Sequence, residues 1–99
     1  MREVVDELAY DRAKLVRAAS EHQYLDALPL STGAYRSNEH ELARTLPFEA
    51  LRSTDEFYRF ADEVDGDPSG LVGAGGRENF VEMQRLVESA LRQLAPYIG

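Results

Sequence analysis

Six carboxylates crowd residues 55–67: Asp55, Glu56, Asp62, Glu63, Asp65 and Asp67, opposed there by Arg59 alone. Such a run can ligate a cation, move protons, or attract a basic protein surface. Spacing tests the first use. A calcium loop needs oxygen ligands at its first, third and fifth positions, glycine at the sixth and glutamate at the twelfth. With Gly66 as the sixth, Glu63 and Asp65 fall third and fifth, but Ala61 and Val72 take the two closing positions. No metal site is predicted. Nothing nominates a pair of catalytic carboxylates either, and no catalytic residue is assigned. The remaining use is an acidic face that meets another protein through Asp55, Glu56, Tyr58, Asp62, Glu63, Asp65 and Asp67. Tyr58 lies off the Phe57–Phe60–Val64 stripe, which places it on the surface as an aromatic anchor among carboxylates.

A second constellation lies near the N-terminus. Arg12 falls in the predicted seam of the first helix, where it needs a carboxylate or a route to solvent. Together with Arg17 and His22 it defines an alternative reading, a small-ligand or enzymatic pocket between long helices. Arg17-Ala-Ala-Ser-Glu-His22 has the Arg-x4-His spacing that resembles the nuclease subset of helical HEPN domains. That resemblance covers two residues and implies a nuclease role for Arg17 and His22. Ala18 stands where the family has a polar residue after the arginine, and the motif falls in the first helix rather than late in the bundle.

Other chemistries lack their residues. Gly70, Gly73, Gly75 and Gly76 precede a helix, but the chain's one lysine is Lys14, so a phosphate loop of the Gly-Lys-Ser/Thr type is absent. Residues 66–70 (Gly-Asp-Pro-Ser-Gly) set the serine one place late for a nucleophile elbow. There is no cysteine, hence no disulfide or thiolate chemistry. The stretch HELARTLPFEAL is tried as a helix-turn-helix, giving a third reading as a transcription regulator; its following helix would turn Asp55 and Glu56 toward phosphates. No cofactor is implied.

The charge layout supports the interaction reading. Net charge is −7, and residues 55–67 contribute −5 of it. Direct nucleic-acid binding needs the opposite sign. No apolar run approaches the roughly 20 residues of a membrane span, and the N-terminus lacks a signal-peptide pattern, so a cytoplasmic, membrane-free protein is expected.

The elements that must carry these residues are helical throughout. One domain spanning 1–99 is expected, an all-α small bundle whose long first and last helices pack antiparallel with two or three short helices between them. In the first helix Val5, Leu8, Leu15 and Ala19 form the stripe. Asn38 with Glu41 predicts the start of a short helix, and Ser53 with Glu56 a second start. In the last helix Phe80, Met83, Val87, Ala90, Leu94 and Ile98 alternate steps of three and four. That stripe is wide enough to raise a homodimer. Between them, Asp67-Pro68-Ser69-Gly70 matches a type I turn, with Leu71 and Val72 tucked onto the core and a flexible glycine linker after them.

Overall fold

The computed structural model describes residues 2–97. Four α-helices follow in order: α1 (Arg2–Ser20), α2 (Gly33–Thr45), α3 (Phe48–Gly66) and α4 (Gly76–Leu94). Short 3-10 turns cover Tyr24–Ala27, Pro68–Leu71 and Ala95–Tyr97. No strand occurs among the described residues, and no helix is long and apolar enough to cross a membrane.

The helical periodicity of α4 translates directly into burial. Phe80, Met83, Val87, Ala90 and Leu94 are all in the core, joined by Leu86. Ile98 lies outside the described residues. The stripe is sandwiched by α1 on one side and α3 on the other, so its width is used within the chain and does not itself call for a second copy. α1 runs antiparallel to α4. Arg12, mid-way along α1, lies 3.7 Å from Glu88, while Tyr24, just past the C-terminal end of α1, stacks on Phe80 near the start of α4 with centroids 4.4 Å apart.

Two boundaries differ from the sequence expectation. α3 is one unbroken helix of 19 residues, as long as α1 and α4. Ser53 and Glu56 therefore do not open a helix. Ser53 and Thr54 are buried inside it, and the Thr54 hydroxyl donates to the Ala50 carbonyl one turn back at 2.9 Å. That bond lets a polar residue sit in an apolar stripe with Ala50, Phe57, Ala61 and Val64. α2, in turn, begins at Gly33 rather than at Asn38. The stripe of α1 keeps Leu8 and Leu15 as expected but takes Val4 and Ala18 in place of Val5 and Ala19, and it also buries Glu7 and Asp11. Arg12 is on the exposed side, half open to solvent beside Glu88.

The turn between α3 and α4 forms as its sequence predicts. The Gly70 N–H donates to the Asp67 carbonyl at 3.2 Å, and Asp67 Oδ1 accepts the Ser69 N–H at 3.3 Å and its hydroxyl at 2.6 Å. Leu71 is buried but Val72 is exposed, so only the first anchors the loop. The glycine run after it is fixed at its last member. A Cβ on Gly76 would lie 2.4 Å from the Leu71 carbonyl oxygen, so the first turn of α4 packs against the loop backbone where only glycine fits.

Candidate functional site

An α-helix begins with amides that have no partner inside the helix. At the start of α2 the local cap fails, because the Thr32 hydroxyl accepts from the Arg36 guanidinium at 3.2 Å and from no first-turn amide. The acceptor comes from α1 instead. Glu7 Oε2 accepts the Ala34 N–H at 2.9 Å and the Ser31 hydroxyl at 2.8 Å, while its Oε1 accepts the Tyr35 N–H at 3.1 Å and the Tyr58 hydroxyl at 2.9 Å. This remote cap is why α2 starts five residues before Asn38, whose side-chain amide donates to the Ala34 carbonyl. Burial alone would raise the Glu7 carboxyl. The four donors from Ala34, Ser31, Tyr35 and Tyr58 together outweigh it and hold the group below its ordinary value.

One turn along α1, Asp11 is fully buried. Its Oδ1 accepts the Ser31 N–H at 2.8 Å, and its Oδ2 has no hydrogen-bond partner. Desolvation, reinforced by the charges of Glu7 and Asp65, pushes this carboxyl up to about 7 against the pull of the Ser31 amide and Lys14. The Lys14 ammonium donates to the Pro29 carbonyl at 2.5 Å. From α3, Asp65 accepts the Leu30 N–H in a longer bond of 3.4 Å, and burial raises its carboxyl as well. Glu7, Asp11, Lys14 and Asp65 thus strap residues 29–35 onto α1 and α3. Among the described residues, no three acidic or histidine side chains converge as metal ligands.

Tyr58 corrects the expectation of a surface tyrosine. It is buried, its hydroxyl spent on Glu7 and its ring stacked on Tyr35 at 4.1 Å between centroids. The acidic run is also largely engaged from within. Asp55 accepts the Tyr35 hydroxyl, which together with burial raises that phenol. Asp62 accepts from Arg36 at 2.7 Å, Asp65 holds Leu30, Asp67 caps its own turn, and Glu56 lies 3.8 Å from Arg52. Glu63 is exposed and makes no ion pair among the described residues.

A cleft of about 310 Å³ opens between α2 and α3 where this network meets solvent. Tyr35, Glu39, Asp55, Tyr58, Arg59, Asp62 and Glu63 line it. Four carboxylates therefore surround one arginine, over a floor of two stacked tyrosine rings.

The alternative constellation does not assemble. Arg12 faces Glu88 across the α1–α4 seam, and Arg17 is exposed and pairs with Glu21 at 3.3 Å. His22 lies beyond the end of α1 in a left-handed turn (φ 53°), beside Tyr24, Arg77 and Phe80. The three residues face separate surfaces, and the Arg-x4-His pair does not converge because the helix ends between its members. The space between the long helices is filled by Val4, Leu8, Leu15, Phe80, Met83 and Val87.

Sequence reasoning missed Glu7, Asp11 and Ser31. A signal for Asp11 was present: steps of four, three, four and three from Val4 run through Leu8, Asp11 and Leu15 to Ala18, so a carboxylate interrupts an otherwise apolar seam. A charge at such a position must find donors or take up a proton.

Comparison with models of protein families, with curated proteins and with solved structures returns no match to this chain.

Proposed function

We propose that this chain is a non-enzymatic interaction protein whose α2–α3 cleft receives a basic side chain or segment of another protein. The observation that supports this most is the cleft's makeup. Glu39, Asp55, Asp62 and Glu63 ring it, and Glu39 and Glu63 are exposed with no ion pair among the described residues. Tyr35, half-buried and backed by the buried ring of Tyr58, sets an aromatic side chain beside the carboxylates, a setting that favours a guanidinium or ammonium there. An inhibitor, an immunity protein, an adaptor or an accessory subunit would each fit this reading.

The test is affinity capture from the native host with the wild-type chain and with a Glu39→Lys/Glu63→Lys variant. Both positions are solvent-exposed, so the fold is preserved. A stoichiometric basic partner held by the wild type, released as salt screening shortens to about 3 Å near 1 M, and lost from the double variant is the expected result. Equal capture by both chains counts against the cleft.

A further inference from the structure

The strap that carries the chain into α2 contains one group in an unusual position. Asp11 is fully buried, yet one of its oxygens has no donor and the other has a single amide. The charged groups around it come from two helices: Glu7 and Lys14 on α1, Asp65 on α3. Tyr58 of α3 also lies within its field, but its hydroxyl is committed to Glu7. From residues 29–35 the contact is the Ser31 N–H. Lys14 is the one cation in this set, and its ammonium is drawn to the Pro29 carbonyl.

We propose that Asp11 is a proton-operated latch that holds residues 29–35, and with them the first turn of α2, against α1. Glu7 is kept ionised by four donors, so the proton in this pocket belongs to Asp11. With the proton on, the pocket holds a neutral carboxyl, and the Ser31 N–H still has its acceptor. With the proton off, a carboxylate bearing one hydrogen bond is buried beside the carboxylates of Glu7 and Asp65. A buried charge so poorly solvated is costly, and the least expensive relief is to reach water. Ser31 lies directly against Asp11 and is itself only half-buried. Leu30 is held by a bond of 3.4 Å, and the rest of the strap hangs on Glu7 and Lys14. Deprotonation therefore loosens Ser31 first and carries the Ala34 and Tyr35 amides away from Glu7.

The position of the Asp11 carboxyl at about 7 places this transition near neutrality. The inference stands apart from the reading of the cleft, although Tyr35 lines both.

Amide hydrogen exchange by NMR tests it. After correction for intrinsic base catalysis, protection at Ser31, Ala34 and Tyr35 is expected to fall by at least about tenfold between about pH 5.5 and about pH 8, while Val87 in α4 changes only as far as the global unfolding free energy does. Asp11→Asn, which carries no titrating proton, is expected to remove that difference. Unchanged protection in the wild type, or the same loss in the variant, overturns the proposal. A carbon-13 titration of the wild-type Asp11 carboxyl keeps the test decisive if the variant does not fold. A midpoint near 7 that moves with the Ser31 amide supports the latch, and a midpoint at the ordinary aspartate value of 3.8 overturns it.

Discussion

Tyr58 donates its phenolic hydrogen to Glu7 at 2.9 Å across 51 residues of chain, tying α3 to the carboxylate that caps α2 from α1. Three helices thus converge on a single side chain. Removing it strands the Ala34 and Tyr35 amides and the Tyr58 hydroxyl at once. Each buried donor left without an acceptor costs about 1–3 kcal/mol. Glu7→Ala is expected to lower unfolding free energy by about 3 kcal/mol in urea titration, since water reaches part of the exposed first turn. NMR shifts should show α2 shortened from its N-terminal end. A loss below about 1 kcal/mol would mean that the cap is dispensable.

The two carboxylates of α1 give opposite pH dependences. Glu7 is held below its ordinary value by its four donors, so its contribution is present above the unfolded value of 4.5 and is lost as pH falls through the folded one. Asp11 is raised from 3.8 to about 7, so its contribution is complete below 3.8 and is lost as pH rises to about 7. Asp65 is raised and adds to the second trend. Global stability is therefore expected to decline between about pH 5 and pH 7, at up to about 1.4 kcal/mol per unit for a single group. Urea midpoints of the wild type and Asp11→Asn across that range check it. The variant's curve should be flatter, and parallel curves would assign the slope elsewhere.

What the sequence disclosed and what it concealed follow from distance along the chain. The α4 stripe from Phe80 to Leu94 and the Asp67–Gly70 turn depend on neighbours within a few residues, and both are legible. The start of α2 depends on Glu7, 27 residues before Ala34, and no local pattern announces it. Without knowledge of that acceptor, Asn38 and Glu41 offer the better cap. The same applies to the acidic run. Read alone, Asp55, Asp62 and Asp65 form a solvated face. In the fold they accept hydrogen bonds from Tyr35, Arg36 and the Leu30 amide, which leaves the cleft beside Glu39 and Glu63 as the open part of that charge. A stripe of Phe57, Phe60, Ala61 and Val64 leaves Tyr58 outside, whereas the helix buries a wider arc that includes Ser53, Thr54 and Tyr58.

Gly76 and Gly75 are neighbours with opposite requirements. A methyl on Gly76 meets the Leu71 carbonyl oxygen at 2.4 Å and its carbon at 2.5 Å, both backbone atoms that cannot swing aside. Gly75 has nothing within 4 Å of an added Cβ, and its φ of −87° suits any residue. Gly76→Ala is expected to cost about 1–3 kcal/mol, as overpacking does in cores. Gly75→Ala should stay within about 1 kcal/mol of the wild type. Thermal unfolding of the two variants side by side decides it, and equal midpoints would show that the loop yields freely.

Arg36 separates the structural use of the acidic residues from their proposed binding use. Its guanidinium lies 2.7 Å from Asp62, but both side chains are about half exposed, so solvent screens the pair. Exposed pairs of this kind contribute about 0–1 kcal/mol. Arg36→Ala should therefore leave stability within about 1 kcal/mol of the wild type. It also frees Asp62 and makes the cleft more negative by one charge. A fluorescent arginine-rich peptide at low salt serves as the probe. Its affinity is expected to rise by up to about fivefold in Arg36→Ala, equivalent to about 1 kcal/mol at a surface site. The Glu39→Lys/Glu63→Lys variant should weaken it, and both differences should shrink as salt is added. Anisotropy titrations of the three chains measure this. If the affinity is the same in all of them, the attraction for basic partners does not lie between α2 and α3.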